Sequence, residues 1–387
     1  MLANEETAED VTSYVTLFFD MALVLVVTNL SDFLTGTPSI RYILITCAVA
    51  VPIWWAWVGF SFFTARFSQS NPSTSILLIS AALLATTLAT TLDSSWNLRV
   101  QVFFIAFAGM RWCLVLMYAF AAKRTDSELA WFYAKGFGVA AAIATVCVIL
   151  PKPWCFVVFF VGLVISILLP VLAGRLKLLS TKPINPQHLT ERFNLLFMIG
   201  LGTALFCVGE AIANSKNSSE SFTLGALYFA LITVVFWRFF APVGKEFKQN
   251  EVFTSLSGPK GGRLARDLYS YGQFPGFVGV VLISASVKVL ISEHDAALNP
   301  TISLIVALGL LCVMLSILAI DITLWNRIAG WKQVWIIPGI ALALLLFNKS
   351  PVVLLLTLIA LTFASGIQGS RMRAKSLRNI NVTTPTP

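Results

Sequence analysis

Charge is scarce in this chain. Only 12% of its 387 residues are Asp, Glu, Lys or Arg, about half the share of an ordinary soluble domain. Histidine is scarcer still, with His188 and His294 alone and far apart, which argues against a histidine-rich metal or haem site. The six cysteines (Cys47, Cys113, Cys147, Cys155, Cys207 and Cys312) lie in or at the ends of apolar stretches and form no C-x-x-C pair. A disulfide framework and a zinc ribbon are thereby disfavoured, and the thiols read as small packing groups. A basic leader is also missing: the opening MLANEETAED is acidic, so the first apolar segment is expected to be kept as a signal anchor. Finally, the glycine- and lysine-bearing SLSGPKGGRLAR lacks the G-x-x-x-x-G-K-[ST] spacing and follows no strand, which excludes a phosphate-binding P-loop.

What the chain has is hydrophobicity. Apolar residues make up 57% of it, and the mean hydropathy is +0.83. Backbone can cross lipid only with its polar groups bonded internally, as helices or as a closed barrel. Barrel strands alternate apolar and polar residues over about ten positions. Here the apolar runs are continuous and of helix-spanning length, about 17–25 residues. The fold class expected is an all-α integral membrane protein of about twelve transmembrane helices. They are placed at 14–34, 41–64, 74–92, 99–122, 131–150, 153–173, 191–213, 221–242, 269–291, 301–320, 331–347 and 352–368. Between the fifth and sixth, Pro151-Lys152-Pro153 favours a tight turn over a continuous helix.

The net charge of +9 invites a nucleic-acid reading, but its distribution argues against one. If loops are numbered from the N-terminus, sixteen basic residues lie on the side shared by both termini and five on the other. Basic residues mark the cytoplasmic face, which places both termini in the cytoplasm and the chain in the plasma membrane. The partners expected are therefore the lipid bilayer, with anionic lipids at its cytoplasmic face, and no nucleic acid. Residues 1–13 read as a cytoplasmic tail, 14–173 as a first six-helix half and 174–190 as a cytoplasmic linker. A second six-helix half follows at 191–368, carrying the basic loop 243–268, and then a basic tail at 369–387. Faint matches link the halves: Arg66-Phe67 with Arg238-Phe239, and LISA at 78–81 and 282–285. Six helices per half would make this a parallel six-plus-six repeat.

Ionisable residues inside spans are expensive, so they pair or line wet cavities. At about 1.5 Å per residue, Asp20 lies roughly 9 Å from the inner edge and Arg111 roughly 12 Å. Their matched depth predicts an Asp20–Arg111 ion pair, either a clamp between the first and fourth helices or a solute or proton site. Glu210 and Lys288 match near the outer edge, where they form a structural pair or simply reach into the interface. Trp54, Trp55 and Trp57 lie at the Asp20 level. They cover more than one helix face, so at least one faces the bundle. With Tyr271 and Gln273 they outline a possible cytoplasm-facing pocket. The candidate substrate-binding residues are Asp20, Trp55, Arg111 and Gln273, with no metal ligands and no cofactor.

Four segments, TLFFDMALVLVVTNL, WWAWVGFSFFTARF, ERFNLLFMIGLG and YGQFPGFVGVVLISASVKV, occur in that order. In this the chain resembles the bacterial low-temperature-requirement A (LtrA) proteins, from about residue 12 to about residue 290. The resemblance implies a many-helix bacterial membrane protein whose biochemical activity is not well defined. Asp20, Arg66, Arg111 and Glu191-Arg192 agree with the family pattern. Thr16, Ser68-Gln69-Ser70, Thr203, Gln273 and Lys288 depart from it, standing where the family has acidic residues or, at Gln273, a histidine. If those groups serve protons or cations in the family, this chain is a divergent member.

Twelve helices, a possible repeat and buried charges at matched depth lead to the expectation of a small-solute transporter rather than a channel. The alternative is a membrane-homeostasis or lipid-interacting protein with no transported substrate. An intramembrane enzyme is disfavoured, because no histidine falls within a span to complete a nucleophile–base pair. Substrate, direction, coupling ion and oligomeric state carry no signal in the sequence.

Overall fold

Among the described residues, four helices begin on a proline: Pro72, Pro186, Pro300 and Pro351. A proline at this position loses no hydrogen bond, because the first N–H groups of a helix have no acceptor within it. A computed structural model describes the chain except for residues 1, 37, 68–70, 93–95, 216–217, 241–260, 293–299, 326–331, 348–349 and 384–387. In chain order the helices are α1 (Leu2–Thr35), α2 (Ile40–Arg66), α3 (Pro72–Ala89), α4 (Trp96–Thr125), α5 (Glu128–Val146), α6 (Trp154–Arg175) and α7 (Pro186–Asn214). They continue with α8 (Ser218–Phe240), a single turn α9 (Gly261–Ala265), α10 (Phe274–Ser292), α11 (Pro300–Ile320), α12 (Ile336–Phe347) and α13 (Pro351–Thr383). There is no strand among the described residues.

Eleven of these segments are long and apolar enough to cross a membrane, and α12 is a shorter apolar helix. The eleventh span expected from the sequence, 331–347, is cut to the 12 residues of α12. At about 1.5 Å per residue that is roughly 18 Å, well short of a hydrocarbon core of ~30 Å. The physical cause sits just before it. Residues 332–335 form a turn, and the buried Gln333 side chain is bonded to an ion pair rather than facing lipid. The ninth span differs at its start as well. Instead of beginning at 269, α9 leads through a wide π turn at Arg266–Tyr271 into α10. Gly272 and Pro275 explain the break: glycine loosens the helix, and proline suits only its first turn. The helix α1 starts at Leu2 rather than near 14, and α13 runs to Thr383, well beyond 368. Apolar span length therefore underestimates helix length at both ends.

The chain forms two compact units. The first contains Met1–Phe33, Ala48–Leu196 and Phe253–Asp267; the second contains Leu34–Cys47, Phe197–Val252 and Leu268–Pro387. In the first, glycines let helices close in: a methyl on Gly136 would run into Leu169 Cδ2, and one on Gly162 would meet Ile143 Cγ2 at 2.8 Å. These contacts hold α5 against α6. In the second unit, Gly279 of α10 faces Gly309 of α11, and a Cβ at Gly279 would lie 2.6 Å from the Gly309 carbonyl oxygen. Small residues at such crossings are how helices associate without a hydrophobic driving force. The outward face of α6 carries Phe160, Val161, Leu168 and Leu172, all exposed. A continuous apolar strip of this kind suits lipid and not water.

Candidate functional site

Three helix segments within the first unit bring one acid and one base together. The Arg192 guanidinium on α7 donates from Nη2 to Asp20 Oδ1 at 2.6 Å and from Nε to Asp20 Oδ2 at 3.3 Å. Its third nitrogen, Nη1, donates to Thr64 Oγ1 on α2 at 2.7 Å. Trp57 adds its indole N–H to Asp20 Oδ1 at 2.7 Å, and its ring lies 5.7 Å from the guanidinium carbon. Asp20 is 0% exposed and Arg192 3%. Both carboxylate oxygens and all three guanidinium nitrogens are engaged, in the two-pronged geometry that makes arginine–carboxylate pairs strong. Phe193 packs edge-on against Trp57, with ring centroids 4.7 Å apart. The result is a closed clamp joining α1, α2 and α7.

The partner of Asp20 is thus Arg192, and the Asp20–Arg111 pair expected from depth does not form. Counting along a helix measures level but not direction around the axis. The error lay in where α7 begins. The apolar run suggests residue 191, at the membrane edge, whereas the helix starts at Pro186. Arg192 is then six residues into its helix, as Asp20 is six residues into the span beginning at Tyr14. Counted from those two starts, both lie roughly 9 Å along their helices by the same rise per residue.

Arg111, on α4, is 1% exposed and has no carboxylate partner among the described residues. Its Nη2 donates to Ser166 Oγ on α6 at 2.8 Å, and its Nη1 donates weakly to the Trp55 carbonyl at 3.5 Å. Nε has no hydrogen-bond partner. The guanidinium lies 4.7 Å from the centre of the Phe137 ring, a contact that attracts a cation without neutralising it. From Phe137 an aromatic column continues through Tyr133, stacked at 5.3 Å, and Tyr118, at 5.8 Å. Arg66, at the end of α2, lies beside Tyr133. All of these residues belong to the first unit. Trp54, Trp55 and Trp57 are all buried in the bundle.

Gln273 belongs to the second unit, where it is 5% exposed at the N-terminal end of α10. Its carbonyl accepts from the Phe277 N–H. In the same unit Lys288 Nζ lies 2.9 Å from Glu210 Oε2, with side-chain exposures of 15% and 41%. A further buried pair there escaped sequence reasoning. Arg238 Nη2 donates to Asp321 Oδ2 and to Gln333 Oε1, each at 2.6 Å, and Gln333 Nε2 bonds Asp321 Oδ2 at 3.1 Å. The signal available was an acid at the end of an apolar run, in AIDITLW. The span boundary at 320 put Asp321 just outside the interior, and Gln333 lies only two residues into the span placed at 331–347.

Among the described residues, no group of three or more His, Cys, Asp or Glu side chains is placed to hold a metal ion. Eleven spanning helices, a lipid-suited face and ion pairs enclosed among helices define a polytopic helical membrane protein. The chain belongs to the bacterial low temperature requirement A (LtrA) family, whose pattern matches residues 11–366. It is similar to an uncharacterized protein of Rhizobium meliloti (strain 1021), 23% identical over 293 residues that cover 73% of this chain and 70% of that one. No solved structure matches it.

Proposed function

We infer that the protein is a small-solute transporter whose binding centre includes Arg111 and Trp55. One observation carries this: Arg111 is an enclosed guanidinium on a membrane helix with no carboxylate beside it among the described residues. Placing an arginine mid-helix in a membrane costs about 2.5–3.5 kcal/mol on insertion scales, so such residues persist where they serve function. A passing or resident anionic solute supplies the missing countercharge. The Asp20–Arg192 clamp, already saturated, holds the helices around that centre. No nucleophile–base pair is invoked, and the reading is of a carrier rather than an enzyme. The basic excess on the loops shared with the termini supports a plasma-membrane protein with both termini in the cytoplasm.

Proteoliposome flux across a panel of anions, cations, amino acids and nucleosides tests this. Wild-type flux that is lost in Arg111→Leu while helicity and monodispersity are retained is the expected outcome. The complete enclosure of Asp20 favours the alternative, a lipid-interacting or membrane-homeostasis protein with no transported solute. No flux of any solute by a well-folded wild type, together with specific lipid retention, would establish that alternative instead.

A further inference from the structure

We propose that a pocket at the junction of α2, α3 and α4 binds a tetrahedral oxyanion of the phosphate type, whether or not the chain carries a solute. Arg66 ends α2 and lines this pocket with Arg124 of α4 and Lys182 of the α6–α7 connection. Asn71, Thr74 and Thr125 add polar groups, and no acidic residue is among the lining residues. Three cations and no anion make an unbalanced wall.

Two independent features point to a ligand. Arg66 is 6% exposed, yet its Nε and Nη2 have no hydrogen-bond partner. The Phe62 ring centre lies 5.8 Å from the Arg66 guanidinium carbon, and a Cβ at Gly262 would lie 3.5 Å from Nη2, so the neighbours there are a ring and a glycine rather than acceptors. A buried guanidinium with idle N–H groups is costly, and an oxyanion in a guanidinium fork is the usual remedy. The second feature is the start of α3. This 18-residue helix is capped by Asn71, whose side chain accepts from the Ser73 N–H. Its N-terminal end carries partial positive charge and lies in the wall of the pocket.

Size narrows the ligand further. The pocket holds about 70 Å³, well below the ~300–1,000 Å³ of sites for drug-sized molecules. A single phosphate-sized group fits; a nucleotide or sugar does not. Planar guanidinium forks and hydroxyls around a small volume favour multi-oxygen anions over a halide. Arg124 is exposed at the rim and Lys182 half-exposed. The group can therefore arrive as inorganic phosphate or as the headgroup phosphate of an anionic lipid.

The test uses the purified full-length chain in detergent. Thermal unfolding is followed against inorganic phosphate, with chloride at matched ionic strength, and separately against short-chain phosphatidylglycerol and phosphatidylcholine. Wild type should be stabilised saturably by phosphate and not by chloride. The rim variant Arg124→Gln/Lys182→Gln should weaken apparent affinity at least tenfold, and Arg66→Gln should abolish it. Should Arg66→Gln fail to fold, the rim variant decides. Stabilisation by phosphatidylglycerol alone, lost in the rim variant, supports the same site with a lipid headgroup as the source. No stabilisation beyond chloride by either ligand, or undiminished binding by the rim variant, overturns the proposal.

Discussion

Replacing Arg192 by leucine should destabilise the first unit by about 3–5 kcal/mol, because it strands Asp20 as a buried charge. The estimate follows from what remains. Asp20 loses both guanidinium bonds and keeps only the 2.7 Å bond from Trp57. With 0% exposure it has no water to turn to. Since each 1.4 kcal/mol is tenfold in an equilibrium constant, the unfolding constant should rise by roughly two to three and a half decades. Asp20→Leu should cost a similar amount, since Arg192 then keeps only Thr64 as an acceptor. The double variant Asp20→Leu/Arg192→Leu should recover most of the loss, as buried pairs replaced by apolar groups often prove near neutral. Equilibrium unfolding in mixed micelles, read by tryptophan fluorescence and helicity, gives the coupling energy. A coupling below about 0.5 kcal/mol would mean that the two side chains act independently and would refute the clamp. Asp20→Leu/Arg111→Leu serves as the contrast: its effects should add, because Arg111 bonds Ser166 and the Trp55 carbonyl rather than Asp20.

Two further outcomes are expected from the second unit. Arg238→Leu leaves Asp321 buried without its guanidinium partner, at about 3–5 kcal/mol; Gln333→Leu should cost less, about 1–3 kcal/mol for the lost amide bonds, and denaturant titration ranks the two. Gly279→Ala drives a methyl to within 2.6 Å of the Gly309 carbonyl oxygen and should cost about 1–3 kcal/mol through overpacking. Gly202→Ala, with nothing within 4 Å of the new methyl, should be neutral or stabilising by up to ~1 kcal/mol through helix propensity. Equal losses at the two glycines would show that helix crossing is not what Gly279 serves.

Membrane class, helix content and most spans can be read from composition and run length alone. The separation of α5 from α6 was equally legible, since Pro151 and Pro153 stand where the chain turns. Helix ends were not. The start of α7 at Pro186 and the shortening of α12 depend on capping and on where Gln333 sends its side chain, and run length registers neither. The same shortfall hid Arg192. Counted from Pro186, it would have shared the level of Asp20; counted from 191, it lay at the membrane edge. The Arg238–Asp321–Gln333 cluster went unseen for a related reason, because Asp321 sits just outside an apolar run and Gln333 at the very start of one.

The paucity of charge and the length of the apolar runs by themselves determined that this chain spans a membrane as helices, because backbone in lipid has few ways to satisfy its hydrogen bonds. The few ionisable residues within those runs were legible as sites of interest for the same energetic reason. Only the tertiary structure decided their partners. Direction around a helix axis and the crossing of helices far apart in sequence are properties of packing. They alone set Arg192 on Asp20, left Arg111 among aromatic rings and Ser166, and gathered Arg66, Arg124 and Lys182 around one small pocket.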